Sequence, residues 1–153
     1  MSFLLALHSL VRWLLLAALL YSVYRAYTGF KKGGSFGRLD NLLRHNTATI
    51  AHIQLIIGFV VYFKSPIISN FYSSFSTSVQ QMEMLFFGLL HISLMLLAII
   101  LVTIGSALAK RRKTDVEKFK TMFSWFLVAL IIIFLAIPWP FSPLASRPYI
   151  KPF

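Results

Sequence analysis

Three histidines, His8, His52 and His91, fall inside long apolar stretches of the sequence. An ionisable side chain within an apolar span is costly and faces the interior of a helix bundle. At about 1.5 Å of rise per helical residue, His8 lies roughly 10 Å from the outer end of its stretch, His91 roughly 12 Å and His52 roughly 16 Å. Three separate segments therefore deliver imidazoles to nearly one level. Neutral imidazole is a good axial ligand for haem iron, and cofactor sites in helical bundles are built from side chains on facing helices. On depth, His52 and His91 are the expected iron-ligating pair of a b-type haem. Met95, one turn beyond His91, is an alternative ligand. His8 and Arg12 are four apart and share a helix face, which would let Arg12 meet a haem propionate. The face of His91 also carries Gly88, Ala98 and Gly105, small enough to admit a flat macrocycle or a neighbouring helix.

Each of these residues also has a plainer role. An intramembrane histidine can hydrogen-bond across helices, for about 0.6 kcal/mol. Met95 at helical spacing fits ordinary packing, and Arg12 can extend to the headgroups. Gln54 is read as a cross-bundle hydrogen-bonding residue or a contact for a quinone head, and His45, beside Arg44, as interfacial. A three-histidine copper or zinc site is chemically open but demands closer side chains than haem does. Other chemistry is poorly supplied. The acids are Asp40, Glu83, Asp115 and Glu117, none central in an apolar stretch, so no carboxylate pair for acid–base catalysis or proton relay can be assembled. The chain is not expected to be an enzyme on its own. It has no cysteine, which excludes disulfides, iron–sulfur clusters and thiolate metal sites.

The elements that must position these residues are membrane helices. The chain is 58% hydrophobic and only 12% charged, with a mean hydropathy of +0.78, whereas a soluble domain carries about a quarter charged residues. Four apolar stretches, about 3–24, 46–63, 84–108 and 122–138, each approach the roughly 20 residues needed to cross a hydrocarbon core. They lack the period-two alternation of barrel strands. The expected fold is an all-α integral membrane protein, a single antiparallel bundle of four transmembrane helices. The Met1-Ser2-Phe3 start has no basic residue and Arg12 interrupts the first stretch, so that stretch is read as a retained helix rather than a cleaved signal.

Basic residues cluster in two places. One cluster is Arg25, Lys31, Lys32, Arg38 and Arg44; the other is Lys110, Arg111, Arg112, Lys113, Lys118 and Lys120. The opposite side has Lys64, Arg147 and Lys151. The positive-inside rule puts both clusters in the cytoplasm and both termini on the non-cytoplasmic side. The net charge of +11 is thereby read as orientation and contact with anionic lipid, with no nucleic-acid partner expected. Gly33-Gly34-Ser35 is a turn without the strand–helix setting of a phosphate loop. The Ser-rich segment 65–81 reads as an outer loop, with Pro66 ending the second helix. The tail 139–153, with Trp139, Phe141, Tyr149 and repeated prolines, is expected along the outer interface.

The segments His8-Ser9-Leu10-Val11-Arg12-Trp13, His52-Ile53-Gln54-Leu55-Ile56-Ile57-Gly58 with Tyr62-Phe63, His91 with Met95, Ala98 and Thr103-Ile104-Gly105, then Asp115, Lys118, Lys120 and Ile137-Pro138-Trp139-Pro140 occur in that order. This set resembles a family of short bacterial four-helix membrane proteins labelled "cytochrome B", over nearly the whole chain. Leu10 and Leu90 stand where the family pattern carries a glycine and an acid. The resemblance implies a multi-pass protein of the bacterial inner membrane that binds haem b and passes electrons to or from a quinol or larger respiratory complex. It adds weight to His8, His52 and His91. The rival expectation is a cofactor-free accessory subunit that packs against other membrane subunits.

Overall fold

The computed structural model describes residues 1–145 and 147. Among them every regular element is helical. Helix α1 spans Ser2–Lys32 and α2 spans Arg38–Lys64. The outer connection holds two short helices, α3 (Pro66–Ser73) and α4 (Phe75–Ser78). A short α5 (Met82–Leu85) passes through a π-helical turn at Phe86–Leu90 into α6 (His91–Arg111). Helix α7 spans Asp115–Ala136. Four stretches, Ser2–Lys32, Arg38–Lys64, Met82–Arg111 and Asp115–Ala136, are long and apolar enough to cross a membrane. They pack in a ring in which α1 touches α2 and α7, and α6 touches α2 and α7.

The helices overrun the apolar stretches at the basic end, and local chemistry explains why. Helix α1 continues to Lys32 and stops at Gly33, whose φ of 63° is a left-handed conformation that glycine adopts without steric cost. Gly34 N–H then closes the terminus on Gly29 O at 3.0 Å. Helix α2 starts eight residues before its apolar stretch, at Arg38. Asp40 there accepts from Gly37 N–H at 3.0 Å and holds Arg25 of α1 through contacts of 3.0 and 3.3 Å. Thr114 caps α7, accepting from Glu117 N–H while Glu117 accepts from Thr114 N–H. Phe36 of the first connection packs at a tilt against Phe119 of α7, with ring centroids 4.8 Å apart, so both basic connections lie at one end of the bundle.

The bundle axis is lined by Leu19, Ala26, Ala51, Ala98, Val102, Ala109, Phe126 and Ala129, all fully buried. Alanines at the seam bring backbones close, which is how membrane helices gain packing energy without a hydrophobic driving force. The outward faces carry exposed Leu10, Leu14, Leu20, Ile56, Ile100, Val128, Ile131 and Leu135, a surface matched to lipid.

The outer connection is folded rather than an open Ser-rich loop. Pro66 occupies the first turn of α3, where its missing N–H costs nothing, and α3 buries Ile68 and Phe71. Trp139 starts the tail by donating to Phe134 O at 2.8 Å and stacking on Phe141 at 5.8 Å. Arg147 pairs with Glu83 and lies over Phe87. Tyr149 and the rest of the expected interfacial tail, 148–153, lie outside the described residues, as does residue 146.

Candidate functional site

One layer near the outer end draws on all four long helices. His8 of α1 and His91 of α6 face each other edge-to-face, with ring centroids 6.5 Å apart. Sequence depth favoured His52 as the partner of His91; the ring that meets His91 is that of His8. His91 directs Nδ1 to the carbonyl of Ala136 in α7 at 2.8 Å. A carbonyl only accepts, so Nδ1 carries the proton and Nε2 of the neutral ring keeps its lone pair. Phe86 and Phe87 stand against the same ring at 5.6 and 6.3 Å.

The π turn aims this ring. His91 N–H reaches back five residues to Phe86 O, an extra residue per turn that rotates everything after it relative to α5. Such turns often occur at functional sites. The turn is braced from outside: Tyr62 donates to Gly88 O at 2.7 Å and also bonds Tyr72 at 2.9 Å. Phe71 lies so close over Gly88 that a Cβ there would sit 2.6 Å from the ring. Gly105 likewise receives Trp125 of α7. Both glycines of the His91 face are thus covered by aromatic side chains of the protein.

His8 is held from α2. Gln54, buried between the helices, donates from Nε2 to His8 O at 3.0 Å and approaches the two ring nitrogens at 3.2 and 3.3 Å. Its Oε1 is buried without a partner. Gly58 offers no side chain where His8 packs, and a Cβ there would come within 3.3 Å of His8 Cε1. Arg12, one turn along α1, donates to Ser9 Oγ at 3.2 Å and lies over Trp13. Trp13 in turn meets Trp139 edge-to-face at 6.0 Å.

His52 belongs to a different place. It is exposed on the α2–α6 side, with Nε2 3.0 Å from Thr103 Oγ1. Thr103 donates its hydroxyl proton to Ile99 O at 2.7 Å, so its oxygen accepts and His52 Nε2 is the N–H. Met95 packs against the apolar core. His45 is exposed, and its carbonyl accepts from Thr49. Among the described residues no three His, Cys, Asp or Glu side chains gather closely enough to hold a metal ion. Sequence reasoning gave no sign of the His52–Thr103 bond or the π turn, and it did not place Gln54 beside His8. The near-equal depths of His8 and His91 were the available signal for their pairing.

Fold and site together define an all-α, multi-pass membrane bundle with an imidazole pair in the half away from its basic connections. No family model, curated protein or solved structure matches the chain.

Proposed function

We infer that the protein is a b-type-cytochrome-like electron-transfer subunit in which His8 and His91 would hold the haem. The carrying observation is the facing pair itself. His8 and His91, from two different long helices, bring their ring centroids to 6.5 Å. His91 also has the outer-shell partner expected of a ligand, a backbone carbonyl that fixes the tautomer and leaves Nε2 free. Gly58 carries no side chain to crowd the His8 ring, whose Cε1 would lie 3.3 Å from a Cβ placed there. These residues fit the donor set of a haem b.

Haem b, when bound, supplies one-electron ferrous–ferric chemistry. His8 of α1 and His91 of α6 would hold it, and the Ala136 carbonyl orients the His91 ring. Phe86 and Phe87 keep water from that ring. Arg12, on the same face of α1 as His8, is the cation for a propionate carboxylate. Electrons would pass to or from a partner subunit of a larger complex or a quinol, in the bacterial inner membrane with both termini outside, as the resemblance to the "cytochrome B" family and the basic end of the bundle support.

A second reading is a cofactor-free accessory subunit. The observation in its favour is that both imidazoles already join helices, His8 to Gln54 and His91 to Ala136. A reduced-minus-oxidised optical spectrum of the purified protein, with iron determined on the same sample, separates the two. The cytochrome reading expects sharp reduced b-type bands and about one iron per chain. A featureless spectrum with no iron rejects it and leaves the accessory role.

A further inference from the structure

The basic end holds a polar cluster that electron transfer does not use. An open groove of about 510 Å³ runs between α2 and α6, walled by Arg44, His52, Thr103, Ala107, Lys110 and Arg111. No carboxylate lines it. Arg44 is only 8% exposed, yet among the described residues its hydrogen-bond partners are uncharged: Nη1 donates to Ser106 O at 3.1 Å and Ser106 Oγ at 2.9 Å. Its Nε is buried with no hydrogen-bond partner. Arg25 shows the contrast, because its guanidinium meets Asp40. A buried cation without a counter-charge is expensive, and among the described residues no acid forms an ion pair with Arg44, Lys110 or Arg111. Among the described residues, none supplies a counter-charge to this groove.

The groove's shape indicates what brings it. Lys110 and Arg111 end α6 at the mouth, and the His52–Thr103 bond closes the deep end about 10 Å further into the bundle, at 1.5 Å per residue. Ile56 follows His52 by four residues and Ile100 precedes Thr103 by three, so both continue the same two helix faces, and both are exposed. A ligand with an anionic head and an apolar tail fits this order of groups. Basic pockets between membrane helices at the cytoplasmic face take lipid headgroups in this way.

We propose that the α2–α6 groove binds the phosphodiester headgroup of an anionic phospholipid, with Arg44, Lys110 and Arg111 at the phosphate and the acyl chains along Ile56 and Ile100. Free phosphate shares the head chemistry but has nothing to place on the isoleucines. Native mass spectrometry of the full chain in mild detergent tests this with phosphatidylglycerol, phosphatidylcholine and inorganic phosphate as probes. Two variants change the groove from its exposed side: the double substitution Lys110→Gln/Arg111→Gln, and Ala107→Leu, which fills the wall without altering charge. Phosphatidylglycerol should be retained at least fivefold more than phosphatidylcholine, and both variants should remove most of that preference with unfolding temperature unchanged. Inorganic phosphate in excess should leave the lipid in place. Equal retention of the two lipids overturns the proposal, as do variants that bind like the parent. Displacement of the lipid by phosphate alone overturns it in favour of a free-anion site. Haem content plays no part in these readouts, so the outcome is independent of the cytochrome reading.

Discussion

Replacing Gly88 with alanine probes how the outer connection positions His91. The new Cβ would lie 2.6–2.8 Å from Cγ, Cδ1 and Cδ2 of Phe71, whereas carbon atoms rest at about 3.5–4.0 Å. Close to 1 Å of retreat is needed. Phe71 is 1% exposed and its ring also meets Tyr72 and Phe75 at 5.4 Å, so the ring cannot simply swing away. Overpacking of this kind costs about 1–3 kcal/mol. Equilibrium unfolding of purified protein in mixed detergent micelles, followed by circular dichroism, should show that loss for Gly88→Ala. The sharper assay is a double-mutant cycle with Phe71→Leu. If the clash is the cause, shrinking the ring relieves it, and the double variant should lose at least about 1 kcal/mol less than the sum of the singles. Additivity to within about 0.5 kcal/mol would refute the close-contact reasoning, and with it the idea that α3 braces the π turn.

Other substitutions test separate joints of the bundle. Gly105→Ala would set a Cβ 2.3 Å from Cβ and 2.9 Å from Cγ of Trp125, atoms at the root of the side chain, so the α6–α7 pair must part and the loss in the same assay should reach about 3 kcal/mol. Thr114→Ala removes the acceptor for Glu117 N–H and should cost about 1 kcal/mol, read as earlier exchange of the first-turn amides of α7. Asp40→Ala strips the charge-assisted bonds to Arg25 and the contact with Gly37 N–H. Because the Arg25 side chain is 35% exposed, it can turn to water instead of being stranded, so the cost should be about 2 kcal/mol rather than the 3–5 kcal/mol of a fully buried broken pair.

The membrane fold was legible because hydropathy alone reveals spans of about 20 residues. The ends were not. Arg25, Lys31, Arg38 and Arg44 fall outside the apolar windows, yet the backbone there is helical, with Arg25 paired to Asp40 and α1 ending at Gly33. The outer connection looked like a loop from its serines, while Ile68 and Phe71 supply the buried face that makes Pro66–Ser73 a helix. Imidazoles sharing one level could be read from spacing. Which pair faces each other is a question of rotation about the helix axes, and the π turn at Phe86–Leu90 resets that rotation just before His91. His52, close in level, is turned to Thr103 instead.

The most direct test of the central claim is the haem-to-protein ratio of three single variants, His8→Ala, His91→Ala and His52→Ala, each purified in the same detergent beside the parent. The expected result is a ratio near the parent's for His52→Ala and loss of most haem from the other two. Haem retained in both His8→Ala and His91→Ala, or lost from His52→Ala alone, would contradict the account.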